Sequence, residues 1–186
     1  MGLKRAICRV ALAGALLAMA GSVSPIPMTA AQAEPAFSIE KSFAASLTAL
    51  PAEPLGVSGS FYVPVYSSVS MAQGRLRADF SATLSVHNAS ETRLLVLKRI
   101  AYFDTAGKMV ESYLKSPVAL KPFSTIEVSI AAADVRGGTG ANFVVDWAAA
   151  GEIAEPVVEA LMVGDVGAAH YAFISQGRPI KVVGKN

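Results

Sequence analysis

From Arg75 to His87 the chain alternates without a break. Leu76, Ala78, Phe80, Ala82, Leu84 and Val86 take one parity, and Arg75, Arg77, Asp79, Ser81, Thr83, Ser85 and His87 take the other. A period of two places the first set on one face of a β-strand and the second on the opposite face. A helix would smear the same apolar residues around its whole circumference. The stretch commits the chain to a sheet with one dry and one wet face, so the remaining elements must supply a layer that covers the dry one.

The rest of the chain supplies it in short alternating runs. Phe61, Val63 and Val65 oppose Tyr62, Pro64 and Tyr66, and Pro64 marks an edge strand or a strand start, because it donates no ladder hydrogen bond. Arg93 to Phe103 reads as a strand with Leu95, Leu97, Ala101 and Phe103 on one side. The loop Asp104-Thr105-Ala106-Gly107 turns it back into Lys108 to Leu114. Ser116-Pro117 and Lys121-Pro122 bracket a bend. Strands follow at Thr125 to Ala131, Ala141 to Ala149, Pro156 to Val163, Ala169 to Ser175 and Ile180 to Val183. The pattern predicts an all-β fold, an antiparallel immunoglobulin-like β-sandwich of about 7–9 strands. No Cys…Trp…Cys spacing of the antibody kind is present.

Ahead of this domain, Lys4, Arg5 and Arg9 precede the apolar run Val10 to Ala20, and Ala31-Gln32-Ala33 offers an A-x-A cleavage pattern. These features predict a secretory signal peptide over residues 1–33, cut before Glu34, and a periplasmic or secreted mature protein. The run is too short to span a bilayer as a helix, so no membrane span is expected after cleavage. Residues 34–58, rich in Ala, Ser and Pro, read as an N-terminal arm or linker, and residues 59–186 as the sandwich. The formal net charge of +2 comes from basic residues ahead of the cut. The mature domain is therefore near neutral and has no electrostatic reason to bind nucleic acid. Cys8 is the only cysteine, so the mature chain holds no disulfide and no thiolate metal site.

Five stretches together resemble a known family: Tyr62-Val63-Pro64-Val65-Tyr66-Ser67-Ser68, Leu84-Ser85-Val86-His87-Asn88, Tyr102-Phe103-Asp104-Thr105-Ala106-Gly107-Lys108, Gly137-Gly138-Thr139-Gly140-Ala141-Asn142-Phe143 and Pro156-Val157-Val158-Glu159-Ala160. The family is the bacterial exported domain-of-unknown-function family 3124, and the likeness runs from about Tyr62 to Ile180. An arginine is more usual there than His87, so His87 gains no support. The resemblance implies an exported domain and no activity, and no catalytic residue is carried over from it.

The densest glycine cluster runs from Asp134 to Gly140 and leads into the only tryptophan, Trp147. It lacks the Lys-Ser/Thr pair of a P-loop, and a strand follows where nucleotide motifs need a helix. One reading is a turn whose glycines take positive φ, with Asp134 or Asn142 bonding loop amides. The other is a backbone nest for a small anion beside Arg136. Asp134, Asp146 and Glu159 invite a cation, but no calcium-loop pattern is present. His87 and His170, the only histidines, do not make a metal site, and no G-x-S-x-G turn supports a hydrolase. Asn88-Ala89-Ser90 matches a glycosylation sequon that matters only in a host that glycosylates there. Tyr62 and Tyr66 flank Pro64 and could grip a peptide or glycan. The expected function is a non-catalytic exported sandwich, without cofactor, that binds a protein, envelope or glycan partner through an edge strand or the Tyr62/Tyr66 face. The alternative is a small-ligand or ion-binding module built on Asp134, Arg136, Asn142 and Asp146.

Overall fold

The computed structural model describes residues 37–184. The expected signal peptide and its cut before Glu34 lie outside them. Among the described residues, strands dominate and every pairing is antiparallel. They are β1 (Leu47–Thr48), β2 (Val57–Pro64), β3 (Ser68–Met71), β4 (Leu76–His87), β5 (Leu95–Phe103), β6 (Met109–Ser112), β7 (Val118–Leu120), β8 (Thr125–Ile130), β9 (Asn142–Ala149), β10 (Val157–Val166), β11 (Ala169–Gln176) and β12 (Arg178–Val183). One sheet runs β1-β7-β5-β9-β2-β12 with β6 beside β5, and the other runs β11-β10-β4-β3 with β8 beside β4. The architecture is the expected all-β sandwich.

Strand β4 keeps its alternation from Ala78 on, where Ala78, Phe80, Ala82, Leu84 and Val86 are buried, while Leu76 at its start is exposed. They meet Phe61, Val63, Phe143, Val145 and Trp147 of the facing sheet in one core, which Ile126, Val128, Val158, Ala160 and Met162 complete. Each such side chain fully removed from water stabilises the fold by roughly 1.5–3 kcal/mol before entropy is counted. Trp147 fits because its cross-strand partner is Gly59. A Cβ there would lie 2.7 Å from the indole Nε1.

Several expectations change. Twelve strands are present among the described residues rather than about 7–9. Two of the additional ones are β3, which shields the start of β4, and β7, which fits between Pro117 and Pro122 where a bend was expected. Strand β2 is interior, paired with β9 and β12, not an edge. Pro64 is tolerated because Val65 donates its N–H to Ala141 O across to the β9 side. Alternation then points the Pro64 nitrogen the other way, where the pairing with β12 has stopped at Tyr62. In β5 a bulge between Leu97 and Arg99 resets the parity. Ile100 and Tyr102 consequently join Leu95 and Leu97 in the core, in place of Phe103, while Ala101 is buried as well. In the segment read as an arm, Ile39 of the helix α1 (Ile39–Ser42) is fully buried and Leu47 pairs with Leu120.

The crossing from β4 to β5 is fastened by Asn88, which is 1% exposed. Its Nδ2 donates to the carbonyls of Arg93, Leu120 and Lys121 at 2.8, 3.3 and 3.0 Å, and its Oδ1 accepts from Ser90 N at 3.1 Å. The sequon asparagine is thus closed off in the folded chain. Asn88→Ala strands buried carbonyls and an amide, so equilibrium denaturation is expected to show a loss of about 2–3 kcal/mol. A loss below about 0.5 kcal/mol would mean that this knot is not holding the crossing.

Candidate functional site

The residues singled out from the sequence divide between two places. Asp134 and Arg136 lie in the loop after β8, at one end of the sandwich. Tyr62, Asn142 and Asp146 lie on the outer face of the first sheet, where β2 and β9 pair Tyr62 with Val144, Pro64 with Asn142, and Ser60 with Asp146. Tyr66 belongs to neither place. The chain leaves β2 after Pro64, and the Tyr66 ring packs 5.9 Å from Phe173 of β11 in the other sheet. Tyr62 and Tyr66 therefore do not form one gripping face.

On the outer face Asp146 is held from both sides. Ser60 Oγ donates to its Oδ1 at 2.6 Å, and Arg99 Nε reaches its Oδ2 at 2.7 Å. The β5 bulge makes the second contact, because it brings Arg99 opposite Asp146. At the loop end Asp134 accepts from Arg136 N, Nε and Nη2, the last at 2.6 Å. Arg136 Nη2 also approaches Glu111 at 3.5 Å. Hydrogen bonding from Arg136, opposed by partial burial, holds the Asp134 carboxyl below its usual range. The same bond raises the Arg136 guanidinium further above its own. Asp134 and Arg136 face each other across a single turn.

The glycines behind them close the end of the sandwich. Thr105, in the β5–β6 hairpin, donates both its N–H and its Oγ1 to Gly137 O, at 3.0 and 2.9 Å, and its Oγ1 accepts from Gly140 N at 2.9 Å. Ser67 donates N–H and Oγ to Gly138 O, and Thr139 Oγ1 donates to Ser68 O at 2.7 Å. The loop is clasped between the β5–β6 hairpin and the link from β2 to β3. Gly137 is required because a Cβ there would overlap Tyr102 Oη, and Gly138 takes a positive φ of 72°. Burial pushes the Tyr102 hydroxyl's pKa up, and Ser67 lies beside it. The Ser67 proton is directed at Gly138 O, and Tyr102 Oη has no hydrogen-bond partner among the described residues. Burial, with Glu111 and Asp134 nearby, raises Tyr113 as well. Three stretches quoted for the family resemblance, around Tyr62–Ser68, Tyr102–Lys108 and Gly137–Phe143, thus meet at this end.

The family described as "Protein of unknown function (DUF3124)" matches residues 58–180. The chain belongs to the DUF3124 family. A search of curated proteins finds no match for this DUF3124 chain. Among solved structures it is similar to one titled "Crystal Structure of Thermotoga maritima 1070", at 11% identity and a TM-score of 0.38, covering 64% of this chain and 92% of that one.

The partners that organise both places carry little local signal: Thr105 has ordinary turn chemistry, and the bulge that aims Arg99 depends on its pairing partner. The far edge of the second sheet does carry a signal. Val157-Val158-Glu159-Ala160-Leu161-Met162-Val163 is apolar on both parities, which signals a strand with little polar face. In the fold, Val157, Leu161 and Val163 of β10 are exposed, beside Ile174 of β11. Among the described residues β11 pairs only with β10, so its other edge is open.

Two tests follow from the loop. Gly137→Ala is expected to cost about 1–3 kcal/mol by overpacking. Adding Tyr102→Phe recovers part of that loss, since the hydroxyl is the first atom the new methyl meets. Tyr102→Phe alone is neutral or stabilising, because it removes an unpartnered hydroxyl. Additive losses in the double variant would show that the two do not touch. For Asp134 the sign is that of a depressed carboxyl. Its contribution is present at neutral pH and is lost as pH falls through the lowered pKa. The stability difference between the native chain and Asp134→Asn should therefore shrink on acidification. It should also shrink with added salt, because Arg136 is solvent-exposed.

Proposed function

We propose that the DUF3124 chain is an exported, non-catalytic β-sandwich that binds a protein partner, which adds a strand to the open edge of β11. The observation that carries this reading is the character of that edge. Strand β11 reads Ala169-His170-Tyr171-Ala172-Phe173-Ile174-Ser175-Gln176, with no Lys, Arg, Asp, Glu or Pro, and every residue except Ser175 is exposed. Half of its backbone N–H and C=O groups point away from β10, as in any edge strand. Edges are ordinarily blunted by charge, proline or a covering element. The edge strand of the other sheet, β12, carries Arg178, Pro179 and Lys181.

Side chains beside the edge favour the same reading. Ile174 is 59% exposed and lies opposite Leu161, itself 42% exposed. Ala172 lies opposite Val163. A partner strand would take its affinity from main-chain hydrogen bonds and its selectivity from this apolar strip. Export is supported by the basic segment, short apolar run and A-x-A pattern ahead of Glu34. The polar groups at Asp134–Arg136 and Ser60–Asp146–Arg99 bond one another, so they do not favour a ligand over the edge.

The test is a photo-crosslinking side chain placed at position 174 in living cells, with position 62 as the comparison. A protein adduct at 174 that is lost with Ala172→Lys is the expected result. The absence of any protein adduct at 174 would overturn the reading.

A further inference from the structure

Resting on the reading of β11 as a binding edge, we infer that the strand it accepts is β11 of a second copy of this chain, paired antiparallel about a two-fold axis with Phe173 opposite Phe173 of the second copy. The proposal comes from matching rows across the edge. Cross-strand neighbours share a face, so the outer face of β10–β11 is a ladder of rows: Glu159 with Gln176, Leu161 with Ile174, Val163 with Ala172, and Asp165 with His170. Reading outward, this edge runs polar, apolar, apolar, polar.

An antiparallel two-fold pairing inverts that order on the partner, and only some registers match it. With Phe173 on the axis, Ile174 meets Ala172 of the second copy, and His170 meets Gln176 of the second copy. The outer face then carries two continuous apolar rows, each running Leu161, Ile174, Ala172, Val163 across the junction. They are bounded by two polar rows running Asp165, His170, Gln176, Glu159. The carboxylates stand at the far ends of the polar rows, with His170 and Gln176 between them, so no like charges meet. Centring on Ala172 instead would put His170 against Ile174. Centring on Ile174 would put Gln176 against Ala172 and bring Glu159 into an apolar row. A slip of one residue would exchange the two faces altogether. One register is therefore complementary in both polarity and charge.

On the inner face the same register sets the two Phe173 rings about the axis. Each ring is already braced by its own copy, edge-on to Phe80 at 5.3 Å and tilted to Tyr66 at 5.9 Å. Eight paired residues extend over about 27 Å. A contact one strand wide is smaller than the ~1,200 Å² of a standard stable interface. The dimer is accordingly reversible and concentration-dependent.

Sedimentation of the purified chain over a concentration series tests the association. The expected result is a monomer–dimer equilibrium, shifted to monomer by Ala172→Lys with an unchanged melting temperature. The register is tested by mixing Ala172→Cys with Ile174→Cys, each in a chain with Cys8→Ser, the only native cysteine being thereby removed. The mixed disulfide is expected to form faster than either self-disulfide. A chain that remains monomeric up to ~1 mM, the weakest affinity asked of it, would overturn the proposal, as would preferred self-disulfides in both variants. A monomeric chain whose position-174 crosslinker still captures another protein would leave the edge reading standing and remove only the second copy as its occupant.

Discussion

Strand β4 is hydrogen-bonded along both of its sides, and the sandwich depends on the register this imposes. On one side it pairs with β10, and on the other with β3 near its start and β8 near its end. A one-residue slip would turn Ser81, Thr83 and Ser85 into the core and Leu84 and Val86 into water. Each buried hydroxyl left without a partner costs roughly 1–3 kcal/mol, so the slip is closed to the chain. The three neighbours inherit their inward parity from β4, and the facing sheet is then required to offer Phe61, Val63, Phe143, Val145 and Trp147 to the same space.

Because the chain crosses repeatedly between sheets, polar backbone is carried past the ends of the core. It is satisfied there by a few short side chains. Asn88 and Ser90 bind the β4–β5 crossing, while Thr105, Ser67 and Thr139 bind the glycine loop. Glycine at 137 follows from this closeness, since the loop backbone lies directly against the Tyr102 ring. The loop thus spends carbonyls and amides on the domain's own closure, and Asp134 and Arg136 form its outer rim.

The edge strands β12 and β11 are treated differently. At β12 the edge is guarded by proline and basic residues, while β11 presents an uncharged strand backed by an apolar strip. The Phe173 ring packs edge-on to Phe80, and with Tyr171 it stays exposed on the inner face, so β11 is open at its backbone and on both faces. That edge is free to extend, which is the physical basis for the proposed binding role.

Much of the layout was legible in advance. The thirteen-residue alternation around β4, the turn at Gly107, and the inward set Phe143, Val145 and Trp147 follow from local pattern, which is a property of neighbours along the chain. Local pattern misplaced β5 after Leu97, because a bulge is set by the pairing partner. It missed β7 between two prolines, because three residues carry too little periodicity. It grouped Tyr66 with Tyr62, because it could not see where β2 ends. Asp134 and Asp146 looked like one site, and only their partners, Arg136 for one and Ser60 with Arg99 for the other, separate them.

The sequence by itself determined the fold class and which face of each long strand is dry, since a period of two admits no other economical burial. Which strands lie side by side, which edge stays open, and which charged groups neutralise each other were decided only by tertiary structure. Those outcomes depend on contacts between residues far apart in the chain, such as Thr105 with Gly137 and Ser60 with Asp146, and no local pattern records them.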